Sequence, residues 1–244
     1  MIAIKTNNLC KQYKDQVAVN QLNLEIEEGQ LVSLLGVNGA GKTTTIKMLS
    51  CLTQPTSGDA TVFNHSIIND NYAIKEFINV SPQETAIAPH LTVYENLEFI
   101  CGVYGNNKEE AKKKALQMID DFDLSSIKKQ KASTLSGGWQ RRLSIAMALI
   151  TNPKVLFLDE PTLGLDVLAR RELWHFIESL KGKMTIILTT HYLEEAESLS
   201  DKIAIMSKGH LVAQGSVQDL MKQTKSQTFE DAFVSLCGVG GQIS

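Results

Sequence analysis

Short apolar runs alternate along this chain with stretches whose apolar positions recur at helical spacing. Residues 31–35, 155–158 and 185–189 are mostly apolar or β-branched, and they predict buried strands. After the first of these strands, residues 36–41 predict a loop and residues 42–50 a helix. Continuous apolar strands separated by helices are typical of a parallel sheet covered on both faces, so we predict an α/β core.

Two other regions predict antiparallel structure at the edges of that core. Every second residue from Leu22 to Ile26 is apolar, which predicts an antiparallel strand with one face toward water. Near the other end, residues 202–206 and 210–214 flank a short turn containing Gly209, a spacing typical of a β-hairpin. We therefore expect a β-rich subdomain at the N-terminal edge of a mostly parallel sheet.

The middle of the chain, residues 92–135, carries a helical period instead. Its apolar positions form two stripes, at Val93, Leu97, Ile100 and Tyr104 and then at Ala115, Met118, Ile119 and Phe122. These patterns together predict one domain over residues 1–236 with a helical insert. The predicted parts are 1–88 and 152–222 for the core and β subdomain, about 89–151 for the helical subdomain, about 228–236 for a closing helix, and 237–244 for a disordered tail.

Composition narrows the class of protein. The chain has 244 residues, of which 43% are hydrophobic and 21% charged, values that suit a globular domain with a buried core. Its net charge of -3 lacks the basic excess that neutralises phosphates, so we expect no nucleic-acid partner. No apolar run approaches the roughly 20 residues that cross a bilayer, and the start lacks the layout of a signal peptide. We expect a chain that stays in the cytosol, with docking on a membrane protein left open.

A glycine-rich segment carries the chemistry of phosphate binding. Residues 36–43 fit the pattern G-x-x-x-x-G-K-[ST] between a predicted strand and a predicted helix. The glycines allow main-chain N–H groups to surround phosphate oxygens, and the helix adds its positive dipole end. Lys42 is expected to reach the β- and γ-phosphates, and the Thr43 hydroxyl to ligate Mg²⁺. The sequence therefore predicts a nucleotide site.

Two carboxylates follow the predicted strand 155–158. Ligands bind at the carboxyl ends of strands in open α/β sheets. We expect Asp159 to hold Mg²⁺ through water and Glu160 to polarise the attacking water. Two solvated carboxylates at a strand end are the alternative, and the phosphate loop in the same chain favours the catalytic interpretation.

A second glycine turn, Ser136-Gly137-Gly138, precedes a helix of small and apolar residues. We expect Ser136 to cap that helix while the two glycines open its N-terminus as a second anion site. One nucleotide is not expected to use both anion sites of a single chain.

These segments together make the chain resemble the ATP-binding cassette (ABC) ATPases over residues 2–236. Residues 36–43 match the Walker A motif, residues 155–160 Walker B, and residues 136–138 the signature. The resemblance implies a P-loop NTPase fold with an antiparallel β subdomain and an α-helical insert, and hydrolysis of ATP with Mg²⁺. In the family, the signature of one subunit closes over the ATP held by the other, which implies a head-to-tail homodimer or heterodimer.

Four further positions carry over from the family. Gln83 resembles the glutamine that contacts Mg²⁺ and couples to the membrane partner, and a surface glutamine is the alternative. His191 resembles the switch histidine on the γ-phosphate. Asp166 resembles the aspartate that reaches across the dimer, and a helix N-cap is compatible with it. Tyr13 resembles the aromatic residue that stacks against adenine in the family, and packing at the β edge is the alternative interpretation. Stacking tolerates any base, so Tyr13 does not choose between ATP and GTP.

The predicted site therefore has three groups of residues. The predicted catalytic residues are Lys42, Gln83, Glu160 and His191. The predicted metal ligands are Thr43, Gln83 and Asp159. The predicted nucleotide-binding residues are Tyr13, Gly36, Asn38, Gly39, Ala40, Gly41, Lys42, Thr43, Thr44, Ser136, Gly137, Gly138 and Asp166.

Residues 91–97, 190–197 and 229–236 are similar to the exporter branch of the family, which pairs with separate membrane subunits. The resemblance implies the energy subunit of a transporter at the cytoplasmic face of the membrane, with separately encoded transmembrane permease subunits as partners. Residues 89–131 and the Gln83 loop are expected to form the docking groove.

Three other functions are weighed against the transporter. A soluble ABC ATPase acting on ribosomes or DNA usually has two cassettes or a long coiled-coil insert, whereas this chain has one cassette and no heptad run. A regulatory cassette would lack Lys42, Glu160 or His191, and all are present. A GTPase would need N-K-x-D, and residues 107–110 lack the aspartate.

Trp139, which replaces the glutamine common after the signature glycines, is expected to affect local packing more than activity.

Overall fold

The computed structural model describes residues 1–239. In this part of the chain, no helix combines the length and the apolar character needed to cross a bilayer. In chain order the elements are β1 (Ile2–Tyr13), β2 (Gln16–Leu22), β3 (Glu25–Glu27), β4 (Leu31–Leu35), α1 (Lys42–Leu49), β5 (Ser57–Val62), β6 (His65–Ser66), α2 (Asn71–Lys75), β7 (Ile78–Ser81), α3 (Val93–Val103), α4 (Lys108–Asp121), a 3₁₀ turn (Ala132–Thr134), α5 (Gly137–Leu149), β8 (Val155–Asp159), α6 (Val167–Glu178), β9 (Thr185–Thr190), α7 (Leu193–Leu199), β10 (Lys202–Ser207), β11 (His210–Gly215), α8 (Val217–Thr224) and α9 (Phe229–Val239).

The core contains the predicted parallel sheet. Its strand order is β11-β10-β4-β9-β8-β7, and neighbouring strands are parallel apart from the β10–β11 hairpin. Side chains of β8 alternate between the two faces: Val155 and Phe157 join one apolar cluster, and Leu156 and Leu158 join another. Because both faces are covered, this strand is apolar at successive positions rather than at every second one. The predicted α/β class is confirmed.

An antiparallel sheet forms the predicted β subdomain. Its order is β2-β1-β5-β6, with β3 paired to β1. The alternation from Leu22 to Ile26 predicted one strand, but the structure divides it into two. β2 ends at Leu22 and β3 begins at Glu25, and Leu24 between them donates its N–H to Thr6 Oγ1 at 2.7 Å. The apolar residues of this segment are nevertheless all buried in the core.

The helical insert consists of α3 and α4, followed by the 3₁₀ turn and α5. Both α3 and α4 begin with a capping box, at Thr92 and Asn107. The prediction of helix over the whole segment is wrong for residues 104–107, between α3 and α4, and for residues 122–131, where the chain turns through Asp123 at a φ of 54°. Tyr104, predicted on the inner stripe of α3, is 49% exposed.

The C-terminal helices pack beside the β10–β11 hairpin. Leu220 of α8 and Phe229 and Ala232 of α9 join an apolar cluster with residues of β10. Helix α9 continues through Val239, beyond the predicted end at residue 236. Residues 240–244, where the sequence predicts a disordered tail, lie outside the described residues.

Candidate nucleotide-binding site

The phosphate loop connects β4 to α1. Gly36 has no room for a side chain, because a Cβ atom there would clash with the main-chain oxygen of Met206. Gly41, the N-cap of α1, has a φ of 101°, a left-handed conformation that favours glycine. The two glycines therefore let the loop fold closely over the start of α1, whose first N–H groups have no partner within the helix.

A cavity of about 510 Å³ lies over this loop. It brings together residues from the β subdomain, the phosphate loop, and the segments that follow β7, β8 and β9. Gln16, Ala18 and Leu163 belong to it and were missed by sequence reasoning. The lining residues are Tyr13, Gln16, Ala18, Asn38, Gly39, Ala40, Gly41, Lys42, Thr43, Thr44, Gln83, Glu160, Leu163 and His191.

Lys42 supplies a positive charge at the floor of the cavity. Its side chain is 6% exposed, and its Nζ donates to the carbonyls of Gly36 at 2.7 Å and Val37 at 3.3 Å. The same Nζ lies 3.3 Å from Glu160 Oε1. The ammonium group is thus held inside the loop, where the N-terminus of α1 also favours an anion.

Glu160 is the centre of a short polar chain. Its backbone has a φ of 49°, the left-handed region that an L-residue adopts at a cost. Its N–H donates to Thr189 Oγ1 at 2.9 Å and so fixes the turn after β8. Its Oε2 lies 2.8 Å from Nδ1 of His191, so one carboxylate contacts both Lys42 and His191. A carboxylate in this position is suited to act as a general base.

Asp159 lies behind Thr43 and does not line the cavity itself. Its Oδ1 accepts hydrogen bonds from Thr43 Oγ1 at 3.0 Å and from Thr189 Oγ1 at 2.5 Å. Gln83, whose side chain carries an amide oxygen, lines the cavity. Hydroxyl, carboxylate and amide oxygens are the donors that Mg²⁺ accepts beside phosphates, so these residues fit the metal.

Arg141 positions the main chain at Gln83, and sequence reasoning missed it. Its guanidinium, on α5, donates to the carbonyls of Pro82 at 2.7 Å and Gln83 at 2.5 Å. Burial lowers the pKa of Arg141, and the charge of Asp159 opposes that shift. In the sequence Arg141 stands between Gln140 and Arg142, so no local signal distinguishes it from a solvent-exposed helical residue.

Tyr13 lies at the end of β1, on the rim of the cavity. Its side chain is 46% exposed, and Nζ of Lys11 lies 5.1 Å from the ring centroid. Nearly half of the Tyr13 side chain is therefore accessible, and the rest is packed at the β edge. An exposed aromatic ring beside the phosphate loop is able to stack on a base.

The signature residues lie outside this cavity. Ser136 occupies the N-cap position of α5, but its hydroxyl makes no capping hydrogen bond, so the predicted capping interaction is wrong. Gly137 and Gly138 face the beginning of α6, where added Cβ atoms would lie 3.3 Å from Leu165 and 3.2 Å from Ala169. Ser136, Gly137 and Gly138 therefore do not line the cavity over the phosphate loop of their own chain.

Asp166 also lies outside the cavity and caps α6. Its Oδ1 accepts hydrogen bonds from the N–H groups of Leu168 and Ala169, both at 2.9 Å. The N-cap interpretation of Asp166 is therefore what the described residues show.

Comparisons with known proteins agree with this geometry. A family model described as ABC transporter matches residues 19–163. The chain is 42% identical over 217 residues to the phospholipid-transporting ATPase ABCA3 of Homo sapiens, an alignment covering 87% of this chain but 13% of that protein. It is 38% identical over 223 residues to the daunorubicin resistance ATP-binding protein DrrA3 of Streptomyces coeruleorubidus, covering 91% of this chain and 71% of that one.

A solved structure provides the same result in three dimensions. The dimeric post-hydrolysis state of the ATP-binding cassette MJ0796, bound to ADP and Pi, has a TM-score of 0.77 and 28% identity, covering 87% of this chain and 98% of that one.

Proposed function

This chain belongs to the ABC transporter family, and from that premise we propose that it hydrolyses ATP to drive transport through separate transmembrane subunits. The observation that carries the proposal is a single cavity containing the phosphate loop, Glu160, His191 and Gln83. A binding module without catalysis would not need a buried carboxylate held between Lys42 and His191.

Hydrolysis follows from the positions of these groups. Lys42 and the N-terminus of α1 stabilise negative charge on the phosphates. Glu160 accepts a proton from water as the water oxygen attacks the terminal phosphorus, and ADP leaves. His191 orients the Glu160 carboxylate through its 2.8 Å contact. Thr43, Asp159 and Gln83 would hold Mg²⁺, which would supply neutralisation of the charge on the phosphate oxygens.

Glu160→Gln tests the catalytic assignment. The amide keeps the shape of the side chain but cannot take the proton, so we expect kcat for MgATP to fall by roughly 10²–10⁴-fold while ATP binding remains. Steady-state hydrolysis and binding of a fluorescent ATP analogue measure the two effects. Glu197→Gln, an exposed residue of α7, is the control. Near-normal turnover by Glu160→Gln would remove Glu160 from the reaction.

A head-to-tail dimer would complete the site. Ser136, Gly137 and Gly138 do not line the cavity of their own subunit, and the family implies that they cover the nucleotide of a partner. The dimeric state of the MJ0796 relative bound to ADP and Pi supports this arrangement. In such a dimer Asp166, which lies in the chain segment contacted by the signature glycines, would also lie near the partner.

The membrane partner is proposed to dock at a groove beside the Gln83 loop. This docking groove is formed by β7, α3, α5 and the segment after β7; its lining residues are Asn79, Val80, Pro82, Ala86, Ile100, Tyr104, Ser144, Met147 and Ala148. Phe99 and Val103 on the same helix as Ile100 are 58% and 62% exposed. An accessible apolar surface next to a cavity residue suits a partner that senses the nucleotide.

A charge placed in the docking groove tests this assignment. Tyr104→Asp should leave ATP turnover of the purified chain within about twofold, because Tyr104 lies outside the cavity, and should abolish recovery of the chain with membranes. Tyr72→Asp is the matched control, since Tyr72 is 85% exposed on α2. Normal membrane recovery of Tyr104→Asp would show that the docking groove is misassigned.

The proposed transporter is an exporter, with this chain at the cytoplasmic face of the membrane, and the names of the relatives support export. One relative is named for phospholipid transport and another for daunorubicin resistance. A soluble ABC ATPase acting on ribosomes or DNA is not favoured by these relatives.

A further inference from the structure

A buried carboxyl group lies near the cavity but does not line it. Glu195, in the first turn of α7, is 0% exposed. Among the described residues, no ion pair includes it. A buried carboxyl without a cation is costly to desolvate, and it needs hydrogen-bond donors. The partners of Glu195 therefore indicate what it does.

Two donors from different segments meet at one oxygen of Glu195. Its Oε1 accepts hydrogen bonds from Thr162 Oγ1 at 2.8 Å and from Trp174 Nε1 at 3.0 Å. Thr162 is 1% exposed and follows Glu160 closely in the chain, whereas Trp174 lies on α6. A single atom of α7 thus connects the turn after β8 to α6.

This connection joins the two chain segments that carry Glu160 and His191. Glu160 belongs to the segment that includes Thr162, and His191 directly precedes the segment that includes Glu195. The Thr162–Glu195 hydrogen bond therefore holds these segments together behind the 2.8 Å contact between Glu160 and His191. It also helps to hold the turn in which Glu160 has its φ of 49°.

The neutral form of Glu195 is favoured. Burial raises the pKa of Glu195, neighbouring donors that include Thr162 and Trp174 oppose that shift, and the negative charge of Glu160 raises the pKa further. Its other oxygen, Oε2, has no hydrogen-bond partner among the described residues. Glutamine matches the shape and charge of such a group and retains an oxygen acceptor.

We propose that Glu195 is a positioning residue for hydrolysis, which through Thr162 fixes the distance between Glu160 and His191. The inference rests on the proposed ATPase function. An apolar residue at position 195 would fill the space but give Thr162 and Trp174 no acceptor, so the turn after β8 would be free to shift. A shift of about 1 Å in a reacting group is enough to reduce a rate by about 10²-fold.

The test separates turnover from nucleotide binding. Steady-state kcat and KM for MgATP, thermal unfolding, and affinity for a fluorescent ATP analogue are measured for wild type, Glu195→Ala, Glu195→Gln, Thr162→Val and the Glu195→Ala/Thr162→Val double variant. Glu197→Gln, which changes an exposed carboxylate on the same helix, is the control.

We expect kcat of Glu195→Ala to fall by about tenfold or more, with KM and analogue affinity within about twofold, because the phosphate loop is untouched. Glu195→Gln should recover kcat to within about threefold of wild type. Thr162→Val should also lower kcat, and the double variant should be no slower than Glu195→Ala, because both changes remove the same hydrogen bond.

Several results would overturn the inference. Wild-type kcat in Thr162→Val would show that the hydrogen bond does not position Glu160, and this variant keeps the test valid if Glu195→Ala does not fold. Equal losses in Glu195→Gln and Glu195→Ala, or independent effects of Glu195 and Thr162, would do the same. Absence of ATP hydrolysis by wild type would instead overturn the proposed function, and the positioning role with it.

Discussion

Two turns of this molecule have the same local design, glycines followed by the N-terminus of a helix, but different surroundings. In the phosphate loop before α1, the Lys42 ammonium group donates hydrogen bonds to main-chain carbonyls of the loop. Glu160 and Thr43 lie beside it. The turn before α5 places Ser136 at an exposed N-cap without a capping bond. We therefore propose that a chain completes one anion site by itself and exposes the other at its surface, where a partner's nucleotide binds.

The strongest test of this difference uses variants that damage one turn each. Lys42→Ala should weaken the binding of the phosphates at the phosphate loop of its own subunit. Ser136→Arg should block the proposed contact with the partner's nucleotide. Each variant alone is expected to lose ATP turnover to background. Mixed in equal amounts, they should regain about a quarter of the wild-type rate, because half of the dimers would contain one intact site.

ATP hydrolysis at saturating MgATP, measured after the two variants have been mixed and equilibrated, gives the result. Each variant alone, taken through the same treatment at the same total concentration, is the control. If the mixture has no more activity than the sum of its parts, the two turns do not act across a subunit interface.

A smaller effect distinguishes the two turns by their backbone. Gly41→Ala forces a side chain into a φ of 101° and within 2.5 Å of the Ala18 carbonyl, so we expect about 1–3 kcal/mol less stability and weaker nucleotide binding. Gly137→Ala meets only Leu165 at 3.3 Å and should change the free energy of unfolding by about 1 kcal/mol at most.

Urea unfolding and binding of a fluorescent ATP analogue to the isolated chain measure both quantities. Gly137→Ala should bind the analogue as wild type does. Equal losses of binding in the two variants would contradict the distinction between a self-contained turn and an outward-facing one.

The smallest expected effect is on the pH dependence of stability. Because burial raises the pKa of Glu195 above its ordinary value of 4.5, the folded chain holds this proton more firmly than the unfolded chain between pH 4.5 and the raised pKa. The stabilisation from this group is complete below pH 4.5 and is lost as the pH rises through the raised pKa. Glu195→Gln lacks this loss, so its Tm relative to wild type should increase from acid to neutral pH.

Thermal unfolding of both proteins between about pH 5 and pH 8 measures the trend. The charged group that acts on Glu195 is the Glu160 carboxylate. The Glu197→Gln control should remain parallel to wild type. A constant difference in Tm between Glu195→Gln and wild type across this range would mean that the pKa of Glu195 is not raised.

Local patterns predicted the parallel strands well, because residues such as Phe157 and Leu158 are buried on opposite faces of a covered sheet. The spacing of the phosphate loop likewise identified the floor of the cavity. Periodicity was less informative where a turn interrupts a regular pattern. It missed the break between β2 and β3, where the Leu24 N–H donates to the side-chain hydroxyl of Thr6 in β1 instead of to a main-chain carbonyl.

The sequence by itself determined the phosphate loop, the apolar strands 31–35, 155–158 and 185–189, and the β10–β11 hairpin, since each depends on residues close together in the chain. Tertiary structure decided which distant side chains meet: Arg141 at the carbonyl of Gln83, and Glu195 at the hydroxyl of Thr162. It also placed Ser136 outside the cavity of its own subunit. Contacts between residues that are far apart in the sequence depend on how strands and helices pack against one another. The period of a local pattern carries no information about this packing.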